Sequence, residues 1–226
     1  MQTGMARGDP DRFARRLADL KESGSSLLVV GDHDGARSAV STQLLGAAEA
    51  DRTPIFVLLG SDRSIIDTRV PDHDLDDSQL VEYDFYRSAT QSSQATTPTR
   101  QLESLDILLE EIVLAIESIV DRTDDPLNPG DIRVCIDALT PVIDGFDQRA
   151  VENFTADLRT IMKAHESMAH SILPLHQIPD RYSWLKRGFD AIVETRSSDG
   201  VAEERWRLPS DDLYTEWFRV DAVGIK

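Results

Sequence analysis

Cysteine is all but missing. Cys135 is the single one in 226 residues, so no disulfide closes within one chain and no cysteine-based zinc site can form. Lysine is nearly as scarce: Lys21, Lys163, Lys186 and Lys226 stand alone, and arginine supplies the rest of 24 basic residues against 41 acidic ones. A net charge of −17 and an isoelectric point near 4.6 disfavour general affinity for nucleic acid or anionic membranes. No apolar run approaches the ~20 residues that a membrane-crossing helix needs. The opening residues, MQTGMARGDPDRF, lack the apolar centre of a signal peptide. A soluble, cytoplasmic protein is the expectation. Excess carboxylate with little lysine fits work in molar salt, where ions screen self-repulsion; an ordinary acidic cytosolic protein has the same sign.

At this length one sizeable core is the simplest expectation. The chain reads as a single domain over 1–226, with an N-terminal helix in 1–24, an exposed loop at 87–101 and terminal strands at 189–220. Asp9-Pro10 followed by Phe13, Leu17 and Leu20 marks a capped amphipathic helix ending near Gly24. Leu27–Val30 and Pro54–Leu59 are wholly apolar, as in strands buried on both faces of a parallel sheet. Ala36–Ala50 between them is helical in composition, and Leu80–Tyr86 alternates weakly as a third strand. Leu105, Leu108, Leu109, Ile112, Ile116 and Ile119 recur at helical spacing within Leu102–Val120, a helix acidic on its other face. After a turn-rich break at Asp124–Gly130, the pattern predicts a strand Ile132–Ile136, a helix Ala150–Glu166 and a strand Ser171–Leu175. Phe189–Glu194, Ala202–Leu208 and Tyr214–Val220 read as antiparallel strands finishing the sheet. Strands alternating with helices mean an α/β fold with a mostly parallel sheet.

The turn after Leu27–Val30 carries the chemistry. A phosphate-binding loop has the pattern G-x-x-x-x-G-K-[ST]. Gly31 holds the first position and Ser38 the hydroxyl position, but Ala36 replaces the second glycine and Arg37 the lysine. A methyl at position 36 strains a backbone that needs positive φ by about 1 kcal/mol or more, and a planar guanidinium does not substitute for a compact ammonium. Asp32 and Asp34 flank the phosphate position; two like charges about 5 Å apart cost roughly 3 kcal/mol at an effective dielectric of 20. An ordinary strand-to-helix turn accounts for the same residues, with Gly31 and Gly35 in the turn and Asp34 capping the helix. About a hundred residues on, RVCIDALT (Arg133–Thr140) is an apolar strand ending in Asp137. Ligands of open α/β sheets sit at such carboxyl ends, where P-loop ATPases hold Mg²⁺ through an aspartate; a helix cap or turn residue after a strand, the commoner case for one such motif, accounts for the same aspartate.

Three segments together resemble the RecA/KaiC-type ATPase superfamily, in the short, often inactive form of salt-loving archaea. VVGDHDGARSAV is similar to the phosphate loop, and RVCIDALTPVI to the second nucleotide-binding strand. WLKRGFDAIVETRSSDGVAEERWRL is similar to the KaiC-type terminal hairpin with its Asp-Gly turn. The resemblance spans Leu27 to Val220 and implies a RecA-like three-layer sandwich. It also implies ATP or ADP with Mg²⁺ on Gly31, Gly35, Ala36, Arg37, Ser38 and Asp137, with Ser38 and Asp137 nearest the metal. The family's catalytic glutamate after the second strand is absent, because FVLLGSDRS places Gly60 and Ser61 there and only Asp62 nearby. His176-Gln177 falls where relatives sense the γ-phosphate.

The kept frame and altered chemistry point first to a pseudo-ATPase, a regulatory or signalling module that binds protein partners or itself. A nucleotide-holding switch and a weak ATPase using Asp62 or a partner's base stay open. Other groups carry less. Asp72, Asp74, Asp76 and Asp77 lack the glycine and closing glutamate of a calcium loop, and His165, His170 and His176 match no zinc spacing. Cys135 reads as a small buried hydrophobe. Trp184, Trp206 and Trp217 read as packing for the terminal hairpin, with an interface role as the alternative.

Overall fold

A computed structural model describes residues 10–46, 52–69, 75–76, 79–83 and 98–220. Strands β1 (Ser25–Val30), β2 (Thr53–Leu58), β4 (Ile132–Asp137) and β5 (Met168–Leu173) form the buried centre, with β3 (Leu80–Glu82) outside β2. They are joined by β6 (Ala191–Ser198), β7 (Val201–Leu208), β8 (Leu213–Tyr214) and β9 (Phe218–Arg219). Among the described residues the nine strands make one sheet in the order β3-β2-β4-β5-β1-β6-β7-β8, with β9 also on β7. The pairs from β3 through β6 are parallel; those of β7 with β6, β8 and β9 are antiparallel.

Helices cover both faces. Helices α1 (Pro10–Glu22), α2 (Asp34–Leu45) and α3 (Ser64–Arg69) pack on one side, where Leu20, Leu44, Leu45 and Ile66 meet Leu27, Val29, Phe56 and Cys135. Helices α4 (Pro98–Arg122), α5 (Thr140–Gly145) and α6 (Gln148–Ala164), with a 3-10 segment at Asp180–Arg187, pack on the other. There Leu108, Ile112, Ile116, Phe154 and Leu158 meet Leu28, Ile55, Val57, Val134 and Ile136. The strands' own alternation sorts these side chains to the two faces. The result is a three-layer α/β sandwich of RecA-like layout, mostly parallel with antiparallel strands at the C-terminal end.

Several expectations shift. Strand β6 pairs parallel with β1 (Leu27 opposite Ala191) before turning antiparallel into β7, because the 3-10 segment returns the chain to the same edge. The last expected strand is two short ones, β8 and β9. Helix α5 arises directly after β4, where no helix was expected, with a proline in its first turn. Pro98–Gln101 is the start of α4 rather than loop. Asp9, 47–50, 84–97 and Asp72, Asp74 and Asp77 lie outside the described residues.

Candidate functional site

The parallel strands β1, β2 and β4 bring their carboxyl ends to one edge of the sheet, with β5 between β1 and β4. Only Gly31, Asp32 and His33 separate β1 from α2. His33, not Asp34, caps the helix: its Nδ1 accepts the Ala36 amide at 3.3 Å. The Arg37 amide bonds the His33 carbonyl at 3.1 Å. A phosphate nest needs successive amides facing the ligand; here two of them are satisfied inside the helix, which starts at Asp34 and winds up Gly35 and Ala36.

The glycines do not serve a ligand either. Neither Gly31 nor Gly35 is among the positive-φ residues, and Ala36 sits buried without backbone strain. A Cβ on Gly31 would lie 2.1 Å from Thr195 Oγ1 and 2.7 Å from the Thr195 carbonyl. Gly31 is therefore glycine so that β6 can pass alongside. Arg37 folds back on its own turn, with Nη1 donating to the Gly31 carbonyl at 2.7 Å and Nη2 to Asp34 Oδ1 at 3.0 Å. Ser38 is buried, and its hydroxyl has no hydrogen-bond partner among the described residues. Asp32 lies 3.3 Å from His176 Nδ1, an exposed pair that brings the β1–α2 turn and the segment after β5 together.

Asp137 has a partner where a metal was expected. Its Oδ1 accepts from Arg69 Nη2 at 2.9 Å, and the two side chains are 8% and 2% exposed. Arg69 closes α3 and reaches under α2: Nη1 donates to Ser41 Oγ at 3.0 Å and contacts Cys135 Sγ at 3.3 Å. Ser41 Oγ in turn shares a 2.8 Å hydrogen bond with His170 Nε2. Burial, then the Arg69 and Arg133 cations, push the His170 imidazole down to about 3, so it stays neutral at ordinary pH. Burial likewise pushes the Cys135 thiol up. The buried network Asp137–Arg69–Ser41–His170 links α2, α3, β4 and β5, and Arg69 Nε is left without a partner among the described residues.

The residues after β2 are occupied as well. Gly60 takes φ +82° and Ser61 Oγ donates to the Asp137 carbonyl at 3.0 Å. Asp62, exposed, accepts the Ser64 amide at 2.8 Å, and that backbone bond holds its carboxyl below the usual range. Asp62 is thereby engaged with the first residue of α3.

Mg²⁺ with ATP or ADP does not fit these residues: the nest is wound into α2, Arg37 is turned inward, and a guanidinium stands opposite Asp137. Sequence patterns missed Arg69, Ser41 and His170 as one group. No local signal marks Arg69, since the run SIIDTR shows only a short helix. His165 caps the end of α6 and His170 lies in β5, so the three histidines stay apart. Among the described residues no group of His, Cys, Asp or Glu could hold a metal ion, and Asp76 pairs with Arg122. Trp206 packs in the core under α2, Trp184 lies on the α4 side, and Trp217 stacks on Arg196 and Arg205.

No helix among the described residues is long and apolar enough to cross a membrane. No curated protein matches the chain. Residues 24–195 match a family described as "Family of unknown function (DUF7504)". That stretch runs from the start of β1 into β6 and takes in the turn at Gly31, Arg69 and Asp137. It exceeds half of the chain, and the protein belongs to this family of unknown function, DUF7504.

Proposed function

We propose that this protein is a RecA/KaiC-like pseudo-ATPase, a domain that keeps the ATPase frame and works as a regulatory or signalling interaction module independent of nucleotide. The observation that carries the reading is the buried Arg69–Asp137 pair, 2.9 Å apart. It supplies the positive charge that Asp137 would otherwise take from a metal, and a paired, buried carboxylate gives up its partner at a cost of about 3–5 kcal/mol. Arg37 supports the same reading by bonding the Gly31 carbonyl instead of pointing outward. The reading sets the module in the cytoplasm with protein partners rather than nucleic acid, in keeping with a net charge of −17.

The test is thermal unfolding in molar KCl with Mg²⁺, with and without millimolar ATP, ADP or GTP. No shift in the midpoint is expected. A ligand at a hundred times its dissociation constant would add about 2.7 kcal/mol of stability. A shift of that order, lost in Ser38→Ala, would overturn the reading in favour of a nucleotide-holding switch.

A further inference from the structure

The amino-terminal edge of the sheet, at the far end of the strands from the turn at Gly31, holds a cavity of about 30 Å³. That is room for one water-sized body. Leu27, Leu44 and Trp206 are on its apolar wall, and Lys21, Arg52 and Arg133 bring three cationic side chains to it. Arg133 is the second residue of β4, in register with Pro54 of β2 and Met168 of β5. It shares one face of that strand with Cys135 and Asp137, because alternate residues point the same way. Four residues at ~3.3 Å each put it about 13 Å from Asp137, so the two are separate places.

The cations lack counter-charges. Arg133 is 4% exposed, and its Nε has no hydrogen-bond partner among the described residues. Its Nη1 donates to the Met168 thioether, which carries no charge. Among the described residues none of Lys21, Arg52 and Arg133 forms an ion pair. Asp131 is close in sequence, but its Oδ2 accepts from the Asn128 amide and side chain at 2.7 and 3.1 Å. The buried Glu204 carboxyl takes Trp206 Nε1 at 3.1 Å and Gln43 Nε2 at 3.5 Å. Burial, then the neighbouring Arg52 cation, lower the Arg133 guanidinium to about 9, against a weaker pull from Asp131. It stays charged at neutral pH. Two glycines of positive φ permit the crowding: a Cβ on Gly46 would stand 2.5 Å from Arg52 Cδ, and one on Gly130 3.2 Å from Arg133 Nη2.

A buried cation calls for a counter-charge. Guanidinium and ammonium groups donate hydrogen bonds and accept none. A body in this cavity must therefore accept from them, and a water would do so while leaving the charge uncompensated. We propose that the cavity binds one monovalent anion of chloride's size, held by Arg133 and Arg52 with Lys21 at the end of α1. The volume leaves no room for phosphate or sulfate. Bound there, the anion ties the end of α1 to the starts of β2 and β4, so its concentration sets how firmly that helix is held. The site lies at the other end of the strands from Asp137 and does not rest on the pseudo-ATPase reading.

Thermal unfolding of the full chain tests this at constant molar ionic strength, with potassium glutamate replaced stepwise by potassium chloride. Glutamate is too large for the cavity. Without chloride, Arg133→Met is expected to unfold at or above the wild-type midpoint, because it removes an uncompensated buried cation. As chloride rises, wild type is expected to overtake the variant, gaining on it by about 5–10 °C at a hundred times the dissociation constant. A purely structural Arg133 would instead cost the variant the same in both salts. Arg52→Gln, at a half-buried position, is expected to need at least tenfold more chloride for the same gain. Crystals soaked in bromide are expected to show its anomalous signal beside Arg133. Equal responses of wild type and Arg133→Met to chloride overturn the proposal, and a bromide peak would then mark an adventitious ion only. A bromide map empty at Arg133 overturns it as well. A gain from sulfate but not from chloride overturns it in favour of an oxyanion. If Arg133→Met does not fold, wild type against Arg52→Gln and the bromide position decide the same question.

Discussion

Replacing Arg69 by methionine removes the guanidinium but keeps an unbranched stem that fills most of its space under α2. Asp137 then stays buried at the end of β4 without its 2.9 Å partner. Ser41 keeps its bond to His170, so the loss falls mainly on the carboxylate. Breaking a buried pair from one side costs about 3–5 kcal/mol. At roughly 2–4 °C per kcal/mol for a chain of this size, the unfolding midpoint drops by about 6–20 °C. Removing both charges in Arg69→Met/Asp137→Leu takes away the uncompensated group, so the pair of changes costs much less than the sum of the single ones. The coupling in a double-mutant cycle should reach at least about 2 kcal/mol. Urea unfolding of wild type, both single variants and the double variant measures it. If Arg69→Met costs under about 1 kcal/mol, or if the two losses simply add, Asp137 is not held by Arg69, and the argument that a guanidinium replaces the metal fails.

Two further expectations concern pH. Burial pushes the Glu204 carboxyl up from 4.5 to about 7, against hydrogen bonds from Trp206 Nε1 and Gln43. Between pH 4.5 and 7 the unfolded chain binds fewer protons than the folded one, so this group's contribution to stability declines as pH rises through that window. Glu204→Gln keeps an acceptor for Trp206 without the charge; it should match wild type near pH 4.5 and exceed its stability by roughly 3 kcal/mol at pH 8. His170 has the opposite sign. With its folded value near 3 against 6.5 unfolded, stability falls as pH drops below 6.5, by up to about 1.4 kcal/mol per pH unit. His170→Gln should flatten that acid-side slope in urea midpoints taken from pH 7 to pH 4. Because the two slopes oppose each other between pH 4.5 and 6.5, each is read as the difference between wild type and its variant.

The strands at the heart of the sheet were legible because burial on both faces leaves an unbroken apolar run. LLVV (Leu27–Val30) and PIFVLL (Pro54–Leu59) show this directly, Ile132–Ile136 does so but for Arg133, and the 3.6-residue recurrence from Leu105 to Ile119 marks α4 as plainly. The composition likewise determined that no disulfide staples the chain and that its surface is strongly acidic. Those properties are local or additive, so a linear pattern carries them. What the turn after β1 does was decided elsewhere. Gly31 looks like a phosphate-loop glycine, but Thr195, 164 residues away, explains it. Asp137 looks like a metal ligand, but Arg69, 68 residues away, takes its charge. The parallel pairing of β6 with β1 also depends on which strand lies beside which. A side chain's spacing along the chain reports whether it is buried; which group it meets there is set by contacts between distant segments, and only the tertiary structure contains them.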